Sequence, residues 1–321
     1  MLPFDEVLSA QKKISPYIQK TELVRCQPLE KEFKLKGRLF LKCENTQKTG
    51  SFKARGAFNA MLNLSADEKK RGVITRSSGN FAQALAYAGS VLKIPTAIVM
   101  PSNAPQIKKD ATAKYGAQIL FSDGGHAEQQ EIAFEIARKE KLALLSPFDH
   151  LHIIAGAGTI ALEVWEDLPG VAQYFCPIGG GGLMGGSATA FKALNSNIEV
   201  FGIEPQGAND YFLSREAGAR YHLDKVHTIA DGLRAPQVGE LTWPLLQKNV
   251  DRLALVSDNE IIQAMRYLHE NMNMIVEPSG ATAFAALLNH PERLKSGMDA
   301  VCILTGGNVD PAALKTWLKA S

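Results

Sequence analysis

One lysine in this sequence stands where it could act as a nucleophile. Lys53 lies in the stretch KCENTQKTGSFKARGA (residues 42–57), where small neighbours such as Gly50 leave its side chain room to enter a cleft. Thr49 and Ser51 are favourable N-cap residues, which predicts that Lys53 lies in the first turn of a helix. A lysine held there and partly withdrawn from water could form a Schiff base with a carbonyl compound.

A glycine-rich stretch supplies backbone N–H groups that could bind an anion. PIGGGGLMGG (residues 177–186) follows an apolar run and precedes a helical pattern, so its N–H groups could hold a phosphate at a helix N-terminus. It also contains G-x-G-x-x-G at Gly180, Gly182 and Gly185, with Glu204 about 20 residues later, as in dinucleotide-binding proteins. A nicotinamide-dependent dehydrogenase is therefore a competing interpretation, although it gives no role to Lys53.

Two further polar stretches also follow apolar runs. SSGN (residues 77–80) precedes a helical pattern, and its hydroxyls, amide and backbone donors could hold a carboxylate. In TGGN (residues 305–308), Thr305 would offer a neutral hydroxyl to a cleft. Each stretch by itself is equally an ordinary N-cap or loop. Loops at the ends of parallel strands meet in one crevice in α/β folds, which favours a common site.

The elements around these stretches predict an α/β protein. Strand patterns alternate with helical patterns along most of the chain, which is typical of parallel βαβ units. No linker separates two independent halves, so we expect two interleaved lobes that share a cleft: a large cofactor-binding lobe from residues 1–71 and 149–321, and a small lobe from 72–148. Helices are predicted over residues 80–92, 158–166 and 184–194, among others.

Composition excludes several kinds of partner. The 321 residues are 45% apolar, enough to bury a sizeable core, and the net charge of +2 includes no long basic block. We therefore expect no nucleic-acid or membrane partner. No run reaches about 18 apolar residues. The N-terminal residues do not form a signal peptide, which predicts a cytoplasmic location. The four cysteines lie among apolar neighbours and are predicted to be buried thiols.

Taken together, these stretches resemble the serine/threonine dehydratase family, which includes serine racemases and belongs to the fold type II pyridoxal-phosphate enzymes. The resemblance covers nearly the whole chain and includes Asp231, Gly232, VEPSGA (276–281) and LTGGNVD (304–310). It implies a fold like that of the tryptophan synthase β subunit, bound pyridoxal 5'-phosphate and a homodimer. The implied activity is an ammonia-lyase, or dehydratase, that converts L-threonine or L-serine to a 2-oxo acid and ammonia by β-elimination.

The resemblance also implies a role for each stretch. Lys53 would form the Schiff base with the cofactor and take the Cα proton, and Ser78 would lie at the opposite face of Cα. Thr305 would face the ring nitrogen, where a neutral hydroxyl favours elimination over transamination. The implied cofactor contacts are Phe52, Lys53, Asn80, Gly179, Gly180, Gly181, Gly182, Leu183, Gly232 and Thr305. The implied substrate contacts are Ser77, Ser78, Gly79, Asn80 and Phe81.

The segment GIEPQGAND (residues 202–210) resembles the cation loop of the same family. Glu204, Ala208 and Asp210 match the positions of its two carboxylates and one backbone carbonyl. Such oxygen ligands suit Mg²⁺ or Ca²⁺ rather than zinc. A solvated acidic loop is also possible, because this spacing alone is a weak signal.

The chain departs from the family pattern at two positions. Many relatives have a histidine in place of Phe81, and relatives acting on hydroxyaspartate often have an arginine near Glu128. Glu128 therefore disfavours a dicarboxylic substrate. Phe81 either lines a drier pocket that favours apolar β-substituents or packs in the core. Three further functions stay open: an amino-acid racemase, a dehydratase of a bulkier β-hydroxy amino acid and a non-catalytic ligand-binding relative.

Overall fold

Strands form two sheets in the computed structural model, which describes residues 2–319 of the chain apart from the side chains of residues 126 and 127. The strands are β1 (Leu23–Arg25), β2 (Leu39–Cys43), β3 (Val73–Arg76), β4 (Thr96–Pro101), β5 (Gln118–Ser122), β6 (Ala143–Leu144), β7 (Val171–Pro177), β8 (Glu199–Pro205), β9 (Arg252–Val256) and β10 (Asp299–Leu304). The larger sheet has the order β1-β2-β10-β7-β8-β9, and the smaller has the order β5-β4-β3-β6.

Neighbouring strands in both sheets are parallel, except that β1 is antiparallel to β2. Parallel neighbours need crossover connections, and helices supply them here. The predicted α/β architecture is therefore confirmed. All strands of the smaller sheet lie between residues 73 and 144. The division of the chain into lobes at residues 72 and 148 stays a prediction.

Helices connect and cover the strands. They are α1 (Phe4–Ile14), α2 (Gln27–Glu32), α3 (Lys53–Leu62), α4 (Ala66–Arg71), α5 (Asn80–Leu92), α6 (Gln106–Ala113), α7 (His126–Glu140), α8 (Leu151–Asp167), α9 (Gly182–Leu194), α10 (Asp210–Ala217), α11 (Thr242–Asn249), α12 (Asp258–Met272), α13 (Pro278–Asn289) and α14 (Pro311–Lys319), with 3₁₀ turns at Glu44–Thr46, Asp231–Leu233 and Pro291–Arg293. Within residues 2–319, none of these helices combines the length and the apolar character needed to cross a membrane.

Helix α8 begins seven residues earlier than predicted, at Leu151 instead of residue 158. Gly156 and Gly158 have low helix propensity, which argues against a helix there. However, an added Cβ would lie 2.6 Å from the Arg55 carbonyl oxygen at Gly156 and 2.9 Å from the Gly186 carbonyl oxygen at Gly158. The two glycines thus allow α3 and α9 to pack closely on α8, and this tertiary packing outweighs local propensity.

The larger sheet has an apolar cluster on each face. Side chains alternate along a strand, so Tyr174 and Cys176 join one cluster while Phe175, between them, joins the other. All four cysteines are free and buried, as predicted. Burial raises the pKa of the Cys26 thiol to about 11 and that of the Cys43 thiol to about 12, which makes both unreactive.

Candidate active site

Lys53 lies in the first turn of a helix, as predicted: it is the first residue of α3, and its side chain is half-buried. The amine donates a hydrogen bond to the carbonyl oxygen of Pro147, 2.8 Å away. The ring centroids of Phe52 and Phe81 lie 4.9 and 5.9 Å from Nζ. Burial lowers the pKa of Lys53 to about 8, so near neutral pH its neutral, nucleophilic fraction exceeds that of an exposed lysine.

The prediction that Thr49 or Ser51 caps α3 is wrong. The N-cap residue is Phe52, no side chain caps this helix end, and both hydroxyls are buried without a hydrogen-bond partner within residues 2–319. Main-chain contacts hold the turn instead: the Phe52 N–H donates to the Thr305 carbonyl oxygen at 3.1 Å, and Ser51 pairs with Gly306. These contacts place the Thr305 loop directly beside Lys53.

The glycine-rich loop leads from β7 into α9 and has no room for side chains. Gly181 has a φ of +88°, which glycine adopts without strain. An added Cβ would lie 2.7 Å from Thr242 Oγ1 at Gly181 and 2.7 Å from the Phe148 carbonyl oxygen at Gly182. Helix α9 begins at Gly182, two residues earlier than predicted, and no side chain caps it. Its first N–H groups are therefore donors for an anion.

Two contacts bring the other predicted groups to this loop. Phe148, which packs on Gly182, directly follows the residue that accepts the Lys53 hydrogen bond. On another side, an added Cβ at Gly179 would lie 3.1 Å from Leu233 Cα and 3.4 Å from the Gly232 carbonyl oxygen. The structure thus gathers Lys53, the glycine loop and Gly232 in one place. Leu183, in the first turn of α9, is buried.

The SSGN segment follows β3, and α5 begins at Asn80 as predicted. Gly79 is the N-cap, no side chain caps the helix, and the Gly79 N–H donates to Ser77 Oγ at 3.4 Å. The Asn80 amide has a fixed orientation, because Nδ2 donates to Glu277 Oε1 at 2.5 Å and Oδ1 accepts from Asn308 Nδ2 at 2.8 Å. Its second N–H is the group left for a ligand oxygen.

Glu277 is a residue of this site that our sequence interpretation missed. It is 4% exposed, and burial together with the nearby charge of Asp231 raises its pKa to about 8. Its own N–H donates to the Gly306 carbonyl oxygen at 3.0 Å. Glu277 belongs to the VEPSGA stretch, but its partner Asn80 is 197 residues away, so no local pattern indicates the contact.

Thr305 and Gly232 meet at Ser279, near the start of α13. The Thr305 hydroxyl donates to the Ser279 carbonyl oxygen at 3.4 Å, and the Gly232 N–H donates to Ser279 Oγ at 2.8 Å. Thr305 is 4% exposed. The Thr305 side chain therefore places a neutral hydroxyl, bonded to main chain, at a position where an aspartate would place a negative charge.

These groups fit pyridoxal phosphate. The uncapped start of α9, where added side chains would clash, suits the phosphate. The Lys53 amine with its lowered pKa suits the aldehyde, and the free Asn80 N–H suits the ring oxygen. Phe52 supplies an aromatic surface beside the amine. Ser78 is half-buried in the turn between β3 and α5.

The predicted cation loop contains two buried carboxylates with different surroundings. Glu204 accepts hydrogen bonds from the N–H groups of Tyr211 at 3.0 Å and Phe212 at 2.7 Å. Both carboxylate oxygens of Asp210 are buried without a partner within residues 2–319. Burial raises the pKa of Asp210 to about 7, and burial with the charge of Asp210 raises that of Glu204. The solvated-loop interpretation is wrong, because both side chains are fully buried.

Within residues 2–319, no group of three His, Cys, Asp and Glu side chains could hold a metal ion. A cation at Glu204 and Asp210 would therefore need further oxygen ligands from backbone or water. The buried backbone at Ala208 stands at the implied position, and hard oxygen ligands suit Mg²⁺ or Ca²⁺.

A family model described as "Pyridoxal-phosphate dependent enzyme" matches residues 14–306. The chain belongs to this family. It is 40% identical over 307 residues to a serine racemase of Schizosaccharomyces pombe, covering 96% of this chain and 94% of the relative. It is 39% identical over 307 residues to an L-threo-3-hydroxyaspartate ammonia-lyase of Saccharomyces cerevisiae, covering 96% and 93%. The crystal structure of a T.th. threonine deaminase superposes with a TM-score of 0.90 at 38% identity, covering 95% and 98%.

The dinucleotide interpretation of Gly180, Gly182 and Gly185 is wrong. The family match assigns the chain to pyridoxal-phosphate enzymes. Glu204, which would have to bind a ribose hydroxyl, is instead fully buried and bonded to the start of α10. The resemblance to fold type II enzymes is confirmed, and the chain is similar to both ammonia-lyases and racemases.

Proposed function

We propose that this enzyme is an ammonia-lyase that converts L-threonine or L-serine to a 2-oxo acid and ammonia by β-elimination. The observation that supports this proposal most strongly is the position of Lys53. Its amine, with a pKa lowered to about 8, is joined through Pro147 and Phe148 to a glycine loop at an uncapped helix start. The neutral Thr305 hydroxyl lies in the loop beside it.

In this proposal each residue acts on the amino-acid substrate in turn. The N–H groups at the start of α5 bind the substrate carboxylate, because no side chain caps that helix. Lys53 accepts the proton from Cα, and the β-hydroxyl leaves as hydroxide, so that the substrate loses the elements of one water. Water then hydrolyses the released enamine to the 2-oxo acid and ammonia. Bound pyridoxal phosphate supplies the electron sink for the negative charge at Cα. Thr305 would offer a neutral hydroxyl to the ring of the bound cofactor, where a carboxylate would favour a protonated ring nitrogen, and this neutrality would favour elimination over transamination.

The direct test is turnover of purified enzyme supplied with pyridoxal phosphate. We expect L-threonine and L-serine to give 2-oxo acid and ammonia in equal amounts, and borohydride followed by peptide mapping to place a pyridoxyl group on Lys53. Lys53→Ala should lose turnover but stay folded. Lys70→Ala is the matched control, because Lys70 is an exposed lysine on α4. Multiple turnovers by Lys53→Ala at near the parent rate would contradict the proposal.

Substrate preference should follow the residues around Lys53. Phe81 is 2% exposed and packs in an apolar cluster, yet its ring centroid lies 5.9 Å from the Lys53 amine. One extra buried methyl contributes about 0.8 kcal/mol, so kcat/KM for threonine should exceed that for serine about fourfold. Phe81→His should reduce this preference. An unchanged preference would assign Phe81 to core packing alone.

With Glu128 in place of an arginine, hydroxyaspartate should be the poorest of the three substrates.

Serine racemisation is the second candidate, favoured by the 40% identity to a serine racemase. Racemisation needs a proton donor on the face of Cα opposite Lys53, and Ser78 is the proposed donor. Chiral chromatography of L-serine reactions measures D-serine and pyruvate together. Ser78→Ala should remove D-serine formation and retain elimination from the L-isomer; loss of neither activity would exclude Ser78.

Two further properties belong to the same proposal. We assign Glu204, Ala208 and Asp210 to an Mg²⁺ or Ca²⁺ site, supported by the unpartnered buried oxygens of Asp210. The homodimer implied by the family resemblance stays a prediction, and analytical ultracentrifugation of the enzyme checks it.

A further inference from the structure

Four charged side chains are buried together next to the first turn of α3. Arg55 Nε and Nη2 donate to the two carboxylate oxygens of Glu44 at 2.8 and 2.7 Å. Its Nη1 and Nη2 donate to the two oxygens of Glu163 at 2.7 and 2.8 Å. Lys42 Nζ donates to Glu163 at 2.6 Å. Three of these side chains are 0% exposed and Glu163 is 7% exposed, so two positive and two negative charges balance away from water.

This cluster ties several parts of the chain to the helix that begins at Lys53. Lys42 lies in β2, Glu44 in the following 3₁₀ turn, and Glu163 in α8. Arg55 lies two residues after Lys53, so the two side chains point in directions about 200° apart around the helix axis. Lys53 therefore faces the site while Arg55 faces the core. The segment just before α8 also accepts the Lys53 hydrogen bond.

The start of α3 lacks the usual means of fixing a helix end. No side chain caps it, and the Thr49 and Ser51 hydroxyls make no hydrogen bond within residues 2–319. Arg55 instead uses all five of its N–H groups, because Nη1 also donates to Thr159 Oγ1 at 3.1 Å. A planar guanidinium bound on every side is fixed in rotation as well as in position.

Stability alone is a weak reason for such a cluster, since well-packed apolar residues often replace a buried ion-pair network without loss of stability. Orientation is a better reason, because a reacting group displaced by about 1 Å can lose about a hundredfold in rate. We propose that Arg55, clamped by Glu44 and Glu163, is a positioning residue that fixes the first turn of α3 and thereby the place and direction of the Lys53 amine. This inference rests on the proposed role of Lys53.

The test measures the reactivity of Lys53 in protein stripped of cofactor. Pyridoxal phosphate is added at several pH values, borohydride is added at timed intervals, and peptide mapping gives the rate of modification at Lys53 per folded molecule. For Arg55→Lys, which keeps the charge but loses the planar fork, we expect a rate about ten- to a hundredfold lower. We also expect the pH midpoint of the rate to move upward from about 8, towards that of an exposed lysine.

A second variant and a control separate positioning from general destabilisation. Glu163→Gln keeps the Arg55–Glu44 pair and tests the proposal if Arg55→Lys does not fold; we expect a rate loss of about threefold or more. Leu287 is buried in an apolar cluster that contains no residue of α3. Leu287→Ala should therefore lower stability and leave both the modification rate of Lys53 and its pH midpoint unchanged. Clamp variants that behave like Leu287→Ala would overturn the inference. If pyridoxal phosphate and borohydride modified the parent protein at a residue other than Lys53, that result would instead contradict the proposed function.

Discussion

Two buried groups of charge in this enzyme differ in whether their polar atoms have partners. In the Arg55 cluster, the guanidinium donates five hydrogen bonds, and Glu44 and Glu163 each accept from it twice. In the predicted cation loop, two buried carboxyl groups interact, and both oxygens of Asp210 have no partner within residues 2–319. Burial and opposite charges coincide in the first group, while burial and like charges coincide in the second.

The difference indicates which group has its charges balanced as folded and which does not. A buried ion with its counter-ions can stay charged, because hydrogen bonds replace its hydration. A buried carboxylate beside another carboxylate must either take up a proton or bind a cation. Burial raises the pKa of Asp210 to about 7, and burial with the charge of Asp210 raises that of Glu204, so both carboxyls take up a proton more readily than exposed ones do. The cluster around Arg55 is therefore complete without a ligand, and the loop at Asp210 is a candidate binding site.

The largest expected effect comes from removing a partner in the complete group. Arg55→Met leaves Glu44 and Glu163 buried, with Lys42 as the remaining positive charge of the cluster. This loss should lower the unfolding free energy by about 3–5 kcal/mol. Asp210→Asn, compared in chelator at pH 8, should cost less than about 1 kcal/mol or stabilise the protein, because it removes one of two like charges. Urea unfolding of both variants measures this, and equal losses would show that the two groups do not differ.

Binding of a divalent cation should have an intermediate effect on the unfolding free energy, and this effect should depend on pH. The pKa of Asp210 is raised from its usual 3.8 to about 7, so its contribution to stability is present at low pH and is lost as pH rises through about 7. In chelator, the melting temperature should therefore be lower at pH 8 than at pH 5. Ca²⁺ or Mg²⁺ at about 100 times its Kd should restore about 2.7 kcal/mol at pH 8 and much less at pH 5.

Calorimetry with and without the cation checks this pH dependence, with Asp210→Asn as the control that should lose it. A cation effect of the same size at both pH values, or none at either, would show that the Asp210 carboxylate is not the group that binds.

The smallest expected effect concerns an exposed counterpart of Arg55. Lys20 also holds two carboxylates, Glu166 at 3.0 Å and Asp167 at 2.7 Å, but its side chain is 47% exposed. Water and salt screen such pairs, so Lys20→Met should cost less than about 1 kcal/mol, and 1 M NaCl should remove the difference from the parent. A cost comparable with that of Arg55→Met would mean that burial is not what separates these groups.

Local pattern was sufficient for most of the elements but not for the contacts between them. Helix α5 has the predicted bounds, residues 80–92, because an apolar stripe and a glycine before it indicate both its face and its start. The early start of α8 was missed, since Gly156 is unfavourable in a helix until α3 packs against it. The Thr49 and Ser51 caps were wrong because main-chain contacts to the Thr305 loop replace them.

The candidate site divides in the same way. Lys53 and the glycine loop could be identified from residue type and spacing, because their chemistry depends on neighbours a few positions away. The contacts of Glu277 with Asn80 and of Glu163 with Arg55 join residues 197 and 108 positions apart. Before folding, nothing distinguishes those two glutamates from surface glutamates. Their burial, and with it their influence on the site, exists only in the tertiary structure.

The positions of the cysteines determine what the rate of thiol labelling measures in this enzyme. Cys43, Cys176 and Cys302 lie in strands of the larger sheet, Cys26 precedes α2, and the smaller sheet contains none. A thiol reagent can therefore reach a cysteine only when the larger-sheet half opens. Labelling rates therefore report how often the packing around the larger sheet opens.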